Sequence, residues 1–239
     1  MNALILFLSM LFFLVCVILV FKFFGKTGIF VYIGFATILA NIMASLSVEV
    51  FTLTTTAGSV LYASTFLSTD ILSERYGKKA AGQAVLLGVV VNLLWLIGTQ
   101  IALWFTPSVS DTIYEALKGV FGVVPRMTLA SLAGYVCSQS LDVFLYHFWW
   151  KKTGNSKKGL WLRNNGSTLI SQLVDTTIFV FIAFTGKVPT TILFQIFGTT
   201  YLFKAIFALC DTPFAYLARK IKIIDKEEQA LCQIKQQKD

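Results

Sequence analysis

Ser138-Gln139-Ser140-Leu141-Asp142 and Ser171-Gln172-Leu173-Val174-Asp175 repeat one polar spacing inside stretches that are otherwise apolar. An ionisable side chain at mid-membrane depth costs roughly 3 kcal/mol even on insertion scales. Two such strings therefore point to a polar site held between helices and reachable from water, provided the surrounding segments cross a membrane.

The composition says that they do. Of 239 residues, 56% are hydrophobic and only 13% are charged, far more apolar than a soluble domain. With about 20 mostly apolar residues needed per span, the sequence divides into candidate spans at about 3–24, 29–48, 55–74, 81–105, 126–150, 167–186 and 190–218. The expected fold is an all-α polytopic membrane protein, a bundle of six to seven transmembrane helices. The alternating, β-branched stretch 46–56 reads as an extended or re-entrant element.

A net charge of +8 raises the question of nucleic acid, but the position of the charges excludes it as the partner. Lys22 and Lys26, then Arg75, Lys78 and Lys79, then Lys151, Lys152, Lys157, Lys158 and Arg163, and finally Arg219, Lys220 and Lys222 mark alternate connections. The intervening connections are poor in basic residues. By the positive-inside rule the basic connections and the C-terminus are cytoplasmic, and the N-terminus is outside. The first segment has no basic leader or small-residue cleavage site and reads as a retained helix. Cys16, Cys137, Cys210 and Cys232 have no metal-ligand spacing and read as packing residues.

On helical spacing Ser131, Tyr135, Ser138 and Asp142 share one stripe, and Thr168, Ser171, Gln172 and Asp175 another. Ala130, Gly134 and Ser138 form a small-residue ridge for close helix approach. The third span sets Tyr62, Phe66 and Asp70 one turn apart, a carboxylate beneath two rings, with Glu74 just beyond. The last places Lys204 and Asp211 on one face, about 10 Å apart, with Pro213 loosening the preceding turn. Competing readings are simpler: helix-to-helix bonding for Thr168, Ser131 and Asn41, with Asn41 beside Ser45; pairing of Asp70 and Glu74 with Arg75 and Lys78; an ion partner role for Lys204; and an interfacial aromatic belt for His147, Trp149 and Trp150. The two strings run in opposite directions, as in a small inverted repeat.

Phosphate-binding glycine loops, His-Glu-x-x-His, Gly-x-Ser-x-Gly and Cys/His clusters do not occur in the sequence, so it offers neither an enzyme nor a cofactor signature. The acid, amide and aromatic set suits a small flat solute rich in N–H donors. A guanine-like edge is one: a carboxylate accepts from N1–H and the N2 amino group, an amide donates to O6, and a ring stacks. A protonated amine or a proton-coupling step would suit the same side chains.

Ala57-Gly58-Ser59, Ser68-Thr69-Asp70-Ile71-Leu72-Ser73-Glu74-Arg75-Tyr76-Gly77, Arg126-Met127-Thr128-Leu129-Ala130-Ser131 with Ser138-Gln139-x-x-Asp142, and Arg163-Asn164-x-x-Ser167-Thr168-x-x-x-Gln172-x-x-Asp175-Thr176 resemble the queuosine precursor transporter family over about residues 35–220. The resemblance implies a bacterial inner-membrane importer of 7-cyano- and 7-aminomethyl-7-deazaguanine, with queuine in salvage-dependent organisms. It places Asp70, Glu74, Arg126, Gln139, Asp142, Gln172 and Asp175 at motif positions. Together with Tyr62, Phe66, Tyr135 and Lys204 from the residue reading, they are the candidate substrate contacts. Residues 1–24 read as an added helix and 221–239 as a cytoplasmic tail on a single transporter domain. The family also resembles the substrate-binding subunits of energy-coupling-factor vitamin importers, which keeps ATPase partners open; homo-oligomerisation also stays open.

Overall fold

The computed structural model describes residues 1–44, 46–50, 53–154 and 157–224. The chain is helical, in the order α1 (Asn2–Ala44), a short hairpin of β1 (Ser47–Val50) and β2 (Leu53–Thr56), α2 (Ser59–Tyr76), α3 (Lys78–Trp104), α4 (Tyr114–Thr153), α5 (Lys157–Phe184) and α6 (Thr190–Lys220). This is an all-α, multi-pass membrane protein. α1, α3, the Gly159–Phe184 part of α5, and α6 are each long and apolar enough to cross a membrane, and α4 qualifies as a pair of segments bent by 44° between Gly122 and Pro125. Proline lacks the N–H that would hold the preceding turn.

The two spans expected at 3–24 and 29–48 are the arms of α1. Gly25 breaks the helix with φ 54° and ψ −135°, a left-handed backbone that side chains resist. The arms then lie side by side, since the Tyr32 hydroxyl donates to the Phe13 carbonyl at 3.3 Å and the Asn2 amide reaches the Glu49 carbonyl at 3.0 Å. Leu6, Met10, Leu14, Val17 and Phe21 form the buried stripe of the first arm, which packs into the core shared with α2.

Several boundaries differ from the sequence expectation. The expected 29–48 and 55–74 spans each surrender an end to the hairpin, whose antiparallel register pairs Val48 with Thr55 and Glu49 with Thr54. The β-branched alternation was thus a true strand signal. Gly58 turns the chain from β2 into α2 where a Cβ would lie 2.6 Å from the Ala40 carbonyl oxygen. Helix α4 starts well before 126 and α5 well before 167. Ser45 and the tail from Asp225 onward lie outside the described residues.

Helix α2 is the central and most polar element, buried from Ser59 through Ser73 apart from the half-buried Tyr62. It tolerates that burial because its hydroxyls return to its own backbone: Ser64 to Leu61 at 2.7 Å, Thr65 to Tyr62 at 2.7 Å, Ser68 to Ser64 at 2.8 Å. Such back-bonding satisfies each hydroxyl without a neighbour. Elsewhere side chains bridge helices, as Asn41 of α1 does to Asn92 of α3 at 2.8 Å.

The basic connections meet at one end of the bundle. Arg75 donates to the carbonyls of Arg219 and Ile221 at 3.1 and 3.2 Å and lies over the Phe21 ring, while Ile224 N–H bonds the Lys22 carbonyl at 2.9 Å. At the far end Arg126 donates to the Ile182 and Thr185 carbonyls at 2.8 and 2.6 Å, closing the C-terminus of α5.

Candidate functional site

Helices α2, α4, α5 and α6 enclose a column of buried polar side chains grouped in three layers, each layer drawing on all four helices. The period of the helix explains the stacking: Asp175 to Ser171 to Thr168 to Asn164 advances one turn at a time along α5, and Ser138 to Asp142 to Tyr146 does the same along α4.

The layer nearest the basic end is an ion cluster. Glu74 receives both of its oxygens' bonds from Arg163 Nη2 at 3.0 Å and a third from the Tyr146 hydroxyl at 2.7 Å. Arg219 Nε stands 3.6 Å away. Arg163, read above as part of a cytoplasmic connection, is 0% exposed; α5 begins at Lys157, so the residue falls a full turn inside it. Its guanidinium is accommodated by Glu74, by the Gly154 carbonyl at 2.7 Å and by the face of Trp150. Glu74 therefore pairs with Arg163 and Arg219 rather than with Arg75 or Lys78. His147 stacks on the same Trp150 ring.

The middle layer holds three carboxylates with no ion-paired cation among the described residues. Asp70, Asp142 and Asp211 are 2%, 0% and 0% exposed. Asp70 stands beside Asp142, with Asp211 close to both. Thr168 donates to Asp70 Oδ2 at 3.4 Å and Asn164 Nδ2 to Asp211 Oδ1 at 2.7 Å. Ser167, Thr168 and Ser171 face Asp142. However, Ser167 and Ser171 give their protons to the Arg163 and Ser167 carbonyls at 2.7 and 2.9 Å. Among the described residues both Asp142 oxygens, Asp70 Oδ1, Asp211 Oδ2, Asn164 Oδ1, Gln172 Oε1 and Gln139 Nε2 consequently have no hydrogen-bond partner. Each such buried group costs about 1–3 kcal/mol, so their convergence is unlike ordinary packing. Gln139 is oriented by Thr69, whose hydroxyl donates to its Oε1 at 3.1 Å.

In the third layer Lys204 makes a buried ion pair and hydrogen bond with Asp175. Its ammonium lies 5.6 Å from the centre of the Tyr62 ring, and the Tyr62 hydroxyl bonds Ser131 of α4. The small-residue ridge is what admits Asp175: a Cβ at Gly134 would stand 2.8 Å from its Oδ1.

The repeated strings meet reciprocally across α4 and α5. Ser138 donates to Asp175 at 3.3 Å, and Ser171 faces Asp142. The local symmetry is broken by charge, because Lys204 compensates Asp175 whereas Asp142 faces only other carboxylates and hydroxyls.

Of the residues picked out from sequence, Asp70, Gln139, Asp142 and Gln172 carry the unpaired groups, Asp175, Lys204 and Tyr62 form the third layer, and Glu74 belongs to the ion cluster. Phe66 is buried one turn from Asp70, outside the main apolar cluster. Tyr135 turns toward α3, where a Cβ at Gly88 would overlap its hydroxyl; on that account it is a wall residue. Arg126 closes a helix end far from the column. Asp211 and Lys204, which spacing puts on one face of α6, serve different layers. Sequence reasoning gave Tyr146 no role and Arg219 only that of a sidedness marker, and a tyrosine one turn below Asp142 was the available signal.

Between Asp70 and Arg219 lies a cavity of about 10 Å³ that also touches Glu74 and Tyr146, room for about one water molecule. Sites for small solutes measure about 300–1,000 Å³, so this conformation is closed around its polar centre.

Fold and geometry together define a multi-pass membrane protein organised around a buried polar centre. The family described as putative vitamin uptake transporter matches residues 56–218, and the chain belongs to that family. It is 44% identical over 207 residues to a probable queuosine precursor transporter of Bacillus subtilis, covering 87% of this chain and 90% of that protein. It is 28% identical over 145 residues to the queuosine precursor transporter of Escherichia coli, covering 61% of this chain and 62% of that protein. No solved structure matches the chain.

Proposed function

We propose that this protein imports queuosine precursors, 7-deazaguanines such as the 7-cyano and 7-aminomethyl compounds, across the bacterial inner membrane with its basic end and C-terminus in the cytoplasm. The observation that carries the reading is the middle layer: unpaired carboxylate oxygens on Asp70 and Asp142 beside the unpaired amide nitrogen of Gln139. A carboxylate there accepts from N1–H and the N2 amino group of the base, Gln139 donates to O6, and Phe66 supplies a ring one turn away. The likeness to proteins named for queuosine precursor transport supports the same substrate class. Because the centre is closed, loading requires α2, α4, α5 and α6 to separate at one end at a time, and the Glu74–Arg163–Arg219 cluster is the closure on the basic side.

The test is expression in a bacterium that neither makes the precursor nor has its own importer, followed by measurement of queuosine in tRNA with each 7-deazaguanine supplied at low concentration. Restoration is expected. Failure with every substrate despite confirmed membrane insertion overturns the reading, and rescue only on adding energy-coupling ATPase subunits would reassign the chain as a substrate-binding subunit.

A further inference from the structure

The middle layer contains far more acceptors than donors. Among the described residues Asp70 Oδ1, Asp142 Oδ1 and Oδ2, Asp211 Oδ2 and Asn164 Oδ1 have no donor, against the unpaired donor Gln139 Nε2 within the layer and Ser73 Oγ and Arg163 Nε on adjoining residues. Asn164 is 0% exposed, and its nitrogen is engaged by Asp211, so its unpaired oxygen lies within the acid cluster. A guanine-like edge brings N–H groups for only part of this deficit.

Among the described residues the nearby cations are engaged elsewhere: on α2, Arg75, which lines the same cavity as Asp70, donates to the Arg219 and Ile221 carbonyls, and the ion cluster sets two guanidinium groups against Glu74. On α6 Lys204 is held by Asp175, and Arg219 stands at Glu74. On α5 Arg163 is likewise held by Glu74. On α4 the nearest titratable group is Tyr146, which donates to Glu74. Helices α1 and α3 carry only Lys22, Lys26, Lys78 and Lys79; Lys22, Lys78 and Lys79 are exposed and Lys26 lies against Phe30. Among the described residues no group of carboxylates, His and Cys has the geometry to hold a metal ion. The 7-aminomethyl substrate brings its own ammonium, but for the neutral 7-cyano base the species that supplies both positive charge and a donor is a proton.

Building on the importer reading, we propose that the Asp70–Asp142 pair, with Asp211 beside it, is a proton-binding site that makes the protein a proton–substrate symporter. In the loaded state one proton bridges Asp70 and Asp142 as a carboxyl O–H, leaving one ionised carboxylate to accept the N–H edge of the base. No covalent bond changes: one proton and one substrate enter from outside, and both leave inside. The cavity that starts at Asp70 and ends at Glu74 and Arg219 is the path by which the proton leaves once the ion cluster parts. An ionised pair without its proton would place two negative charges together and bind the neutral base poorly, so the two ligands load together.

The purified full-length protein in liposomes tests this with radiolabelled 7-cyano-7-deazaguanine and a trapped pH-sensitive dye. With the membrane potential clamped at zero and the outside acidic, one-to-one coupling predicts accumulation of about tenfold per pH unit, collapse by a protonophore, and substrate-dependent acidification of about one proton per substrate. Asp70→Asn, checked for monodispersity and thermal stability, should abolish the acidification. Uptake that ignores the pH gradient and brings in no protons overturns symport while leaving the importer reading intact. Proton entry of normal size in Asp70→Asn overturns the assignment to this pair. Absence of any uptake by the well-folded chain overturns the importer reading, and symport with it.

Discussion

Asp142 and Asp175 occupy the same place in matching strings, yet replacing them should have opposite consequences for folding. Asp175→Asn leaves the Lys204 ammonium, whose side chain is 6% exposed, without its counter-charge. Breaking one partner of a buried pair costs about 3–5 kcal/mol, and the Tyr62 face, already beside Lys204 in the wild type, does not offset it. A loss of about 3–5 kcal/mol in a chain of this size corresponds to a melting shift on the order of 10 °C. Asp142→Asn strands no cation and supplies an N–H to a cluster rich in acceptors, so its melting temperature should equal or exceed the wild type while uptake falls severely. Adding Lys204→Met to Asp175→Asn removes the stranded charge and should restore most of the lost stability without restoring uptake. Thermal unfolding of the detergent-purified variants, monitored by tryptophan fluorescence beside uptake in cells, reads both quantities. If Asp175→Asn melts with the wild type, or Asp142→Asn is the less stable of the two, the distinction between a compensated and an uncompensated acid is wrong.

Arg163→Lys should destabilise by about 1–3 kcal/mol, because a point charge cannot span Glu74 and the Gly154 carbonyl together; a melting curve unchanged from wild type would contradict the ion cluster. Gly134→Val should reduce uptake at near-normal expression by displacing Asp175, a contact absent at Gly82, where Gly82→Val serves as the comparison since a Cβ there meets nothing within 4 Å. Gly25→Val should lower membrane abundance, measured by immunoblot, because its φ of 54° strains a β-branched residue. In a cysteine-free background, Lys152→Cys should react with an impermeant maleimide only from the cytoplasm and Ser110→Cys only from outside; labelling of position 152 in intact cells would invert the orientation.

The apolar class and the polar stripes were legible in the chain because each is a local periodicity; of the six to seven spans expected, four helices and the bent α4 are long and apolar enough to cross, with two candidates merged in α1 and α2 not among them. Apolar runs of membrane length define spans, alternation over 46–56 announces strands, and residues one turn apart share a face whatever surrounds them. The Ser-Gln-x-x-Asp strings likewise marked α4 and α5 as walls of a site. Which acid met which partner was a tertiary matter. By sequence Lys204 shares a face with Asp211 about 10 Å away, and only the packing of α6 against α5 gives it its partner, Asp175. Arg163 looked like one more positive marker of a loop until the start of α5 at Lys157 placed it inside the bundle opposite Glu74. The absence of a cation around Asp70, Asp142 and Asp211 depends in the same way on four helices at once, since electrostatic pairing acts over distances in space and a helical stripe specifies only direction around its own axis.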